Sequence, residues 1–403
     1  MNNLSVLCLA VAGLSACNGS NSKSSETANA SSRSNAAEKP NIVIILTDDQ
    51  GYGDMKCYGN SRLQTPNLDQ LAAEGIRFTN FYAGAAASTP SRAALLTGRY
   101  AERAGLQGVV DDLSVNGLES DEFTLADYLK QNNYATGIFG KWHLGCLPEH
   151  LPLRHGFNEF FGLPYSNDMW PFHPQPGHPY RALPLYDNER VVEYNPTVNH
   201  MTTRITERAT AFIDKHKNEP FLLYVPYTQP HVPLGVSDKF KGKSGEGLYA
   251  DVIMEIDWSV GEIMKTLKEN GLDDHTLVLF TSDNGPWLSY GNHGGSTGGL
   301  REGKGTTFEG GQRVPFIARM PGRIPAGKVS EQFLSALDIT PTIVELTGSQ
   351  MPRMNEFDGE NVWMTLTGQA QSHKPFYFLY DGKVEAVRDG KWKCVAPHEY
   401  RIV

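Results

Sequence analysis

Apolar residues fall in two patterns along this chain. In the first they run without a break: "NIVIILTDD" at residues 41–49, "PFLLYVPY" at 220–227 and "TLVLFTSDNG" at 276–285. Unbroken runs predict strands buried on both faces, as in a parallel sheet. "ATGIFG" at 135–140 is a shorter run of the same kind. In the second pattern apolar positions recur at helical spacing. "MTTRITERATAFIDKH" puts Ile205, Ala209, Phe212 and Ile213 on one face, and residues 248–271 make a long amphipathic helix closed by Gly271. "TPNLDQLAAEG" predicts a helix with Thr65 as N-cap, Pro66 in first position and Gly75 at its end. "TLADYLKQNNY" and "ALDITPTIVELTG" predict two more. Strands alternating with helices argue a large, mostly parallel sheet sandwiched by helices. After residue 350 the character changes. "PFYFLYDGKVEAVRDGKWKCV" has two Asp-Gly turns between β-rich runs, which predicts a small antiparallel C-terminal subdomain over 351–403.

The ends change this picture. Residues 1–17, "MNNLSVLCLAVAGLSAC", are too short to span a bilayer and resemble a lipoprotein signal cleaved before Cys17, whose thiol is then lipidated. An ordinary secretory signal is the other reading. Residues 18–39 are Ser/Asn/Ala-rich and predict a flexible tether. The main globular domain then occupies 40–350. The expected location is a bacterial cell envelope, with membrane contact only through the lipid anchor. Of the 5 cysteines, Cys57, Cys146 and Cys394 lie beyond the signal, too few for a disulfide framework but enough for one bridge. The 403 residues carry a formal charge of −9 and no basic stripe, which argues against nucleic acid as a partner. An anionic ligand must therefore be captured by a local site.

Candidate chemistry gathers at the predicted strand ends. Asp48 and Asp49 close the first run, and Asp283 and Asn284 close the 276–285 run. Ligands in open α/β sheets bind at the carboxyl ends of strands. An all-oxygen set there suits Ca²⁺ or Mg²⁺ better than zinc, although Asp-Asp and Asp-Asn-Gly equally suit plain turns. Lys141 and His143 in "GKWHLG", His231 in "PYTQPHVP", and Lys304 and Arg313 in the glycine-rich 301–315 segment add cations at the same edge. Ser88 stands at the mouth of a predicted helix, with Arg92 one turn in. It suits an N-cap, and it equally suits a site where helix N–H groups favour negative charge.

The stretch "STPSRAALLTGR" at 88–99 resembles the signature of the formylglycine-dependent sulfatases. In order around it stand "NIVIILTDDQGYGD", "GKWHLG", "GLPYSND", "PYTQPHVP", "FTSDNG" and "GTTFEGGQRVP". The similarity runs from about Pro40 to the end and looks closest to the arylsulfatase A and N-acetylgalactosamine-6-sulfatase branch of the alkaline phosphatase superfamily. It implies that Ser88 is oxidised to formylglycine by a serine-type sulfatase-maturing enzyme. It implies that Asp48, Asp49, Asp283, Asn284 and residue 88 hold Ca²⁺, that Arg92 and Lys141 hold the formylglycine, and that Ser166, His231 and Lys304 hold the sulfate of a sulfated sugar. One hydroxyl of the hydrated aldehyde attacks sulfur, His231 protonates the departing oxygen, and His143 deprotonates the second hydroxyl so that sulfate is expelled. The family's C-terminal region usually continues further, so either an abbreviated, incomplete subdomain or a truncated sequence is expected here. Trp170, His173, His178, Arg181, His293 and Arg301 are candidate sugar contacts. Two other functions fit less of the chain: a two-zinc phosphatase or phosphodiesterase of the same superfamily, disfavoured by Asp283-Asn284 where an Asp-His pair is needed, and a catalytically silent protein that binds sulfated glycans.

Overall fold

The computed structural model describes residues 39–174, 177, 180–350 and 356–397. The signal, the tether and His178 lie outside the described residues. Ten strands form one sheet: β1 (Asn41–Thr47), β2 (Ile76–Tyr82), β3 (Ala135–Lys141), β4 (Glu159–Leu163), β5 (Pro184–Asp187), β6 (Arg190–Tyr194), β7 (Phe221–Pro226), β8 (Thr276–Ser282), β9 (Arg313–Arg319) and β10 (Lys328–Ser335). Their order is β10-β2-β9-β8-β1-β7-β3-β4-β5-β6. The five adjacent strands β8, β1, β7, β3 and β4 are all parallel. β9 runs antiparallel between β8 and β2, and the β5–β6 hairpin ends the sheet at its other edge. β11 (Phe376–Tyr380), β12 (Lys383–Asp389) and β13 (Trp392–Val395) make the small antiparallel sheet.

The unbroken run of β1 is explained by what lies on each side. Ile42, Ile44 and Leu46 join a core with the helices Ser88–Thr97, Leu125–Gln131 and Ile339–Thr347. Val43 and Ile45 join a second core with Pro66–Glu74, Met201–His216 and Leu248–Glu269. Both faces are therefore apolar, and alternation disappears. The predicted face of Met201–His216 is buried as expected at Ile205, Ala209, Phe212 and Ile213.

Some local expectations change. Thr65 holds the N-cap position but makes no side-chain cap bond; its hydroxyl donates to Asp69 at 3.2 Å instead. Asn270 is the C-cap of Leu248–Glu269, with Gly271 left-handed just beyond. Cys57, Cys146 and Cys394 are all free thiols, so the possible bridge is absent. No helix among the described residues is long and apolar enough to cross a membrane.

Candidate functional site

The sheet order turns distant sequence into one cluster. β1 and β8 are paired in register from Asn41–Thr276 to Thr47–Ser282, so Asp48-Asp49 and Asp283-Asn284 emerge side by side. Neighbouring strands supply the rest. Lys141 is the last residue of β3, Ser166 follows β4, and His231 follows β7. β1 is also where the chain crosses from one side of the sheet to the other, the switch point at which open α/β sheets bind ligands. Gly140 allows the close approach just before Lys141: its φ is +139°, and a Cβ there would lie 1.8 Å from the Pro226 carbonyl oxygen.

Ser88 is the first residue of the helix Ser88–Thr97 and Ala87 is its N-cap, so the serine does not serve as the cap. Its Oγ donates to Asp48 Oδ1 at 3.2 Å and accepts from Lys141 Nζ at 3.3 Å. Lys141 Nζ also bonds Asp48 Oδ2 at 2.6 Å and Ser166 Oγ at 3.3 Å. Ser166 Oγ lies 3.5 Å from His231 Nε2. Arg92 goes to Asp283 Oδ2 at 3.0 and 2.8 Å and to the Lys141 carbonyl, so it braces the acids and the lysine's backbone. Lys304 Nζ bonds Asp49 Oδ2 at 2.8 Å.

These charges are almost wholly removed from water. Burial pushes Asp48 up, but Lys141, His231 and Arg92 outweigh it and hold the carboxyl below its usual range. Burial pulls Lys304 down, and Asp49 with Asp48 more than reverses that. Burial, reinforced by Lys141 and Arg92, holds His143 well below the usual imidazole range, so it is neutral near pH 7. His143 Nε2 is 2.9 Å from the Val110 carbonyl oxygen, which can only accept. The proton therefore sits on Nε2, and Nδ1, buried without a partner, keeps its lone pair. His143 and Asp49 both hold left-handed backbone, φ 62° and 64°, a local strain of about 1–3 kcal/mol of the kind concentrated at working sites. In His231 the ring is fixed the other way round: Nδ1 bonds the Val232 carbonyl and Nε2 faces the cluster.

The donor set fits a hard cation. Asp48, Asp49 and His231 offer ligand atoms within 4.8 Å of one another. Asn284 Nδ2 is spent on Asp49 and the Gly285 carbonyl, while its Oδ1 is buried with no partner. A buried amide oxygen left unpaired beside carboxylates is what a divalent cation would satisfy.

All the predicted site residues from the strand ends meet here. Arg313 does not. Its guanidinium bonds the Thr79 carbonyl and pairs with Glu309 beside Tyr52. Of the candidate sugar contacts, Trp170 packs on Phe172, His173 on Tyr180, Arg181 pairs with Asp112, and Arg301 lies over Phe308. His293 lines a separate cavity of about 490 Å³ with Asp54 and Tyr249. Asp168 and Trp287 escaped the sequence analysis. Burial pushes the Asp168 carboxyl up, but His231 and the Ser166 hydroxyl outweigh it and hold it below its usual range. Trp287 packs against His231 and Lys304. Their positions inside "GLPYSND" and directly after "SDNGP" were the available signal.

The Sulfatase family model matches residues 40–349, and the model for the C-terminal part of N-sulphoglucosamine sulphohydrolase matches 303–403. Arylsulfatase A of Bos taurus is 43% identical over 89% of this chain and 75% of its own length. N-acetylgalactosamine-6-sulfatase of Canis lupus familiaris is 38% identical over 89% of this chain and 72% of its own length. Among solved structures, Ps i-CgsB in complex with k-i-k-neocarrahexaose is 34% identical, covers 89% of this chain and 84% of its own, and superposes with a TM-score of 0.80.

Proposed function

The chain belongs to the sulfatase family and is a sulfatase, and on that premise we propose that it removes sulfate from a sulfated carbohydrate, using residue 88 in its formylglycine form and Ca²⁺. The observation that carries this is the continuous line from Ser88 Oγ through Lys141 Nζ and Ser166 Oγ to His231 Nε2. It puts the modifiable side chain, an anion-binding ammonium and a proton donor along one wall. The carbohydrate part rests on Ps i-CgsB, solved in complex with k-i-k-neocarrahexaose, and on the N-acetylgalactosamine-6-sulfatase relative.

Asp48, Asp49, Asp283, Asn284 and residue 88 would hold the calcium. That ion supplies charge neutralisation for the sulfate, and the hydrated aldehyde supplies two hydroxyls on one carbon. The remaining work falls to this chain's own side chains. Lys141 holds residue 88, and Ser166 and Lys304 bind sulfate oxygens. His231 Nε2 delivers its proton to the departing sugar oxygen. His143 Nδ1, unprotonated at neutral pH, accepts a proton from the second hydroxyl of residue 88. Arg92 keeps Asp283 and Asp48 in place for the metal. The leader sequence supports delivery to a bacterial cell envelope and anchoring through lipidated Cys17.

The test is the mass of the peptide containing residue 88, paired with sulfate release. Co-expression with a serine-type maturing enzyme should make that peptide lighter by two hydrogens and switch on hydrolysis of nitrophenyl sulfate. Without the enzyme, the protein should fold and stay inactive. Full activity with an unmodified serine would refute the proposal, and persistent inactivity of the fully oxidised protein with calcium would favour the silent glycan-binding alternative.

A further inference from the structure

The turn after Asn284 brings one indole against both groups assigned to the ester's oxygens. Lys304 Nζ lies 4.3 Å from the centre of the Trp287 ring while it bonds Asp49 Oδ2 at 2.8 Å. The His231 ring meets the same indole at 5.5 Å between centroids and 61° between planes. Tyr290 packs against the indole at 4.8 Å and 72°. The backbone ties the same pieces together, since Lys304 N–H donates to the Pro286 carbonyl at 3.0 Å.

The indole N–H is not what holds this arrangement. Trp287 Nε1 is buried with no hydrogen-bond partner among the described residues, a state that costs stability. A phenyl ring would avoid that cost and keep an aromatic face. What tryptophan adds is the strongest aromatic face for a cation. The Lys304 ammonium has two holds, the Asp49 carboxylate and the indole face. The same ring limits the tilt of His231.

We propose that Trp287 is a positioning residue, holding the Lys304 ammonium and the His231 imidazole together at the oxygen that leaves sulfur. This rests on the sulfatase reading of Lys304 and His231 given above. Remove the face and the ammonium settles on Asp49 while the imidazole loses its stop. Both changes matter most when the departing oxygen needs its charge stabilised. A sugar alkoxide needs that help and a nitrophenolate needs little.

The experiment uses matured, calcium-loaded full-length protein and two substrates, nitrophenyl sulfate and a simple monosaccharide sulfate. Trp287→Leu should lower kcat/KM on the sugar sulfate roughly 10- to 30-fold, the scale of a desolvated cation–π contact, and on nitrophenyl sulfate far less. Trp287→Phe should recover most of the loss. The part of the sugar-sulfate loss that Trp287→Phe still shows in the wild-type background should disappear in a Lys304→Met background, because the two residues act as one unit. This last cycle decides the matter even if Trp287→Leu fails to fold. Equal losses on both substrates, a phenylalanine no better than leucine, or additive effects with Lys304→Met would each overturn the inference while leaving the sulfatase reading intact. A wild-type protein that hydrolyses neither substrate would overturn both.

Discussion

The two histidines at the site should fail in different ways, and their ring contacts say how. In His231, Nδ1 is committed to the Val232 carbonyl, and Nε2 stands 3.5 Å from Ser166 Oγ and 3.6 Å from Asp49 Oδ2. In the proposed mechanism it is the proton donor. Lys304 is a poor replacement, because burial lowers its pKa but the bonded Asp49 carboxylate and the nearby charge of Asp48 outweigh it and raise the pKa. His231→Ala should therefore lose the whole general-acid contribution on a sugar sulfate, roughly 10²–10⁴-fold or about 3–5 kcal/mol of barrier. A nitrophenolate leaves without a proton, so the same variant should lose much less on nitrophenyl sulfate. His143 is different. It is neutral, donates from Nε2 to Val110 and keeps Nδ1 free. As the base that acts after the leaving group has gone, its loss should slow both substrates equally. Stopped-flow assays of His143→Ala should show a burst of nitrophenol followed by near-arrest, and mass spectrometry should find sulfate retained on the residue-88 peptide. Equal losses of His231→Ala on both substrates, or no burst and no retained sulfate in His143→Ala, would refute this division of roles.

Calcium should raise the melting temperature as well as the activity, by a stabilisation of about 2.7 kcal/mol when free ion is 100 times its Kd. Asn284→Leu, which removes the unpaired buried Oδ1, should abolish that shift; a protein that carries stoichiometric zinc and ignores calcium would contradict the assignment. A pH effect is expected away from the site. His373 bonds Asp338 Oδ2 through Nε2 at 2.9 Å and the Lys374 carbonyl through Nδ1 at 2.8 Å, so both nitrogens donate and the ring is a cation. Burial opposes that charge, Asp338 outweighs it, and the pKa is raised above 6.5. A raised histidine pKa gives stability that is complete below the unfolded value and is lost as pH rises through the folded one. Melting temperature should fall as pH rises above the ordinary imidazole range for this reason, and His373→Gln should flatten that part of the profile; an unchanged slope would contradict it.

How much of this was legible in the sequence depends on whether a residue's environment is set locally. β1, β7 and β8 were legible because burial on both faces leaves an unbroken apolar run. β9 was not. Its sequence, "RVPFIAR", has no clean period, and its antiparallel place is set by partners as distant as Phe78 and Val278. β2 and β10 depend on that same long-range pairing, and β2 begins immediately after the glycine that ends a helix. The β5–β6 hairpin is short and exposed on its outer strand, so it carried little apolar signal. At the site, the acids and the two histidines were visible because polar residues stacked at strand ends stand out from apolar runs. Arg313 shared that surface logic and failed, because an arginine's long stem reaches whichever partner is nearest, here Glu309 and Thr79. Trp287 and Asp168 had no spacing of their own. An indole reads as packing until its neighbours are known to be a buried ammonium and an imidazole.

The charge count explains why an acidic chain can work on an anion. The chain carries −9, which repels a sulfated polymer at long range. At the site Asp48, Asp49 and Asp283 are matched by Arg92, Lys141 and Lys304. With its own residues alone the pocket is near neutral, and each buried carboxylate has a cationic partner that limits its desolvation cost. A divalent ion added to those six paired side chains brings two further positive charges to the pocket. Three cations alone would attract sulfate just as well, but they would repel one another when buried and lose their protons to relieve it. Nearby carboxylates favour the charged form of both lysines: at Lys304 they more than reverse the effect of burial, while at Lys141 burial prevails and its pKa is lowered. The acids at the strand ends thus serve twice, as candidate metal ligands and as counter-charges to the buried lysines.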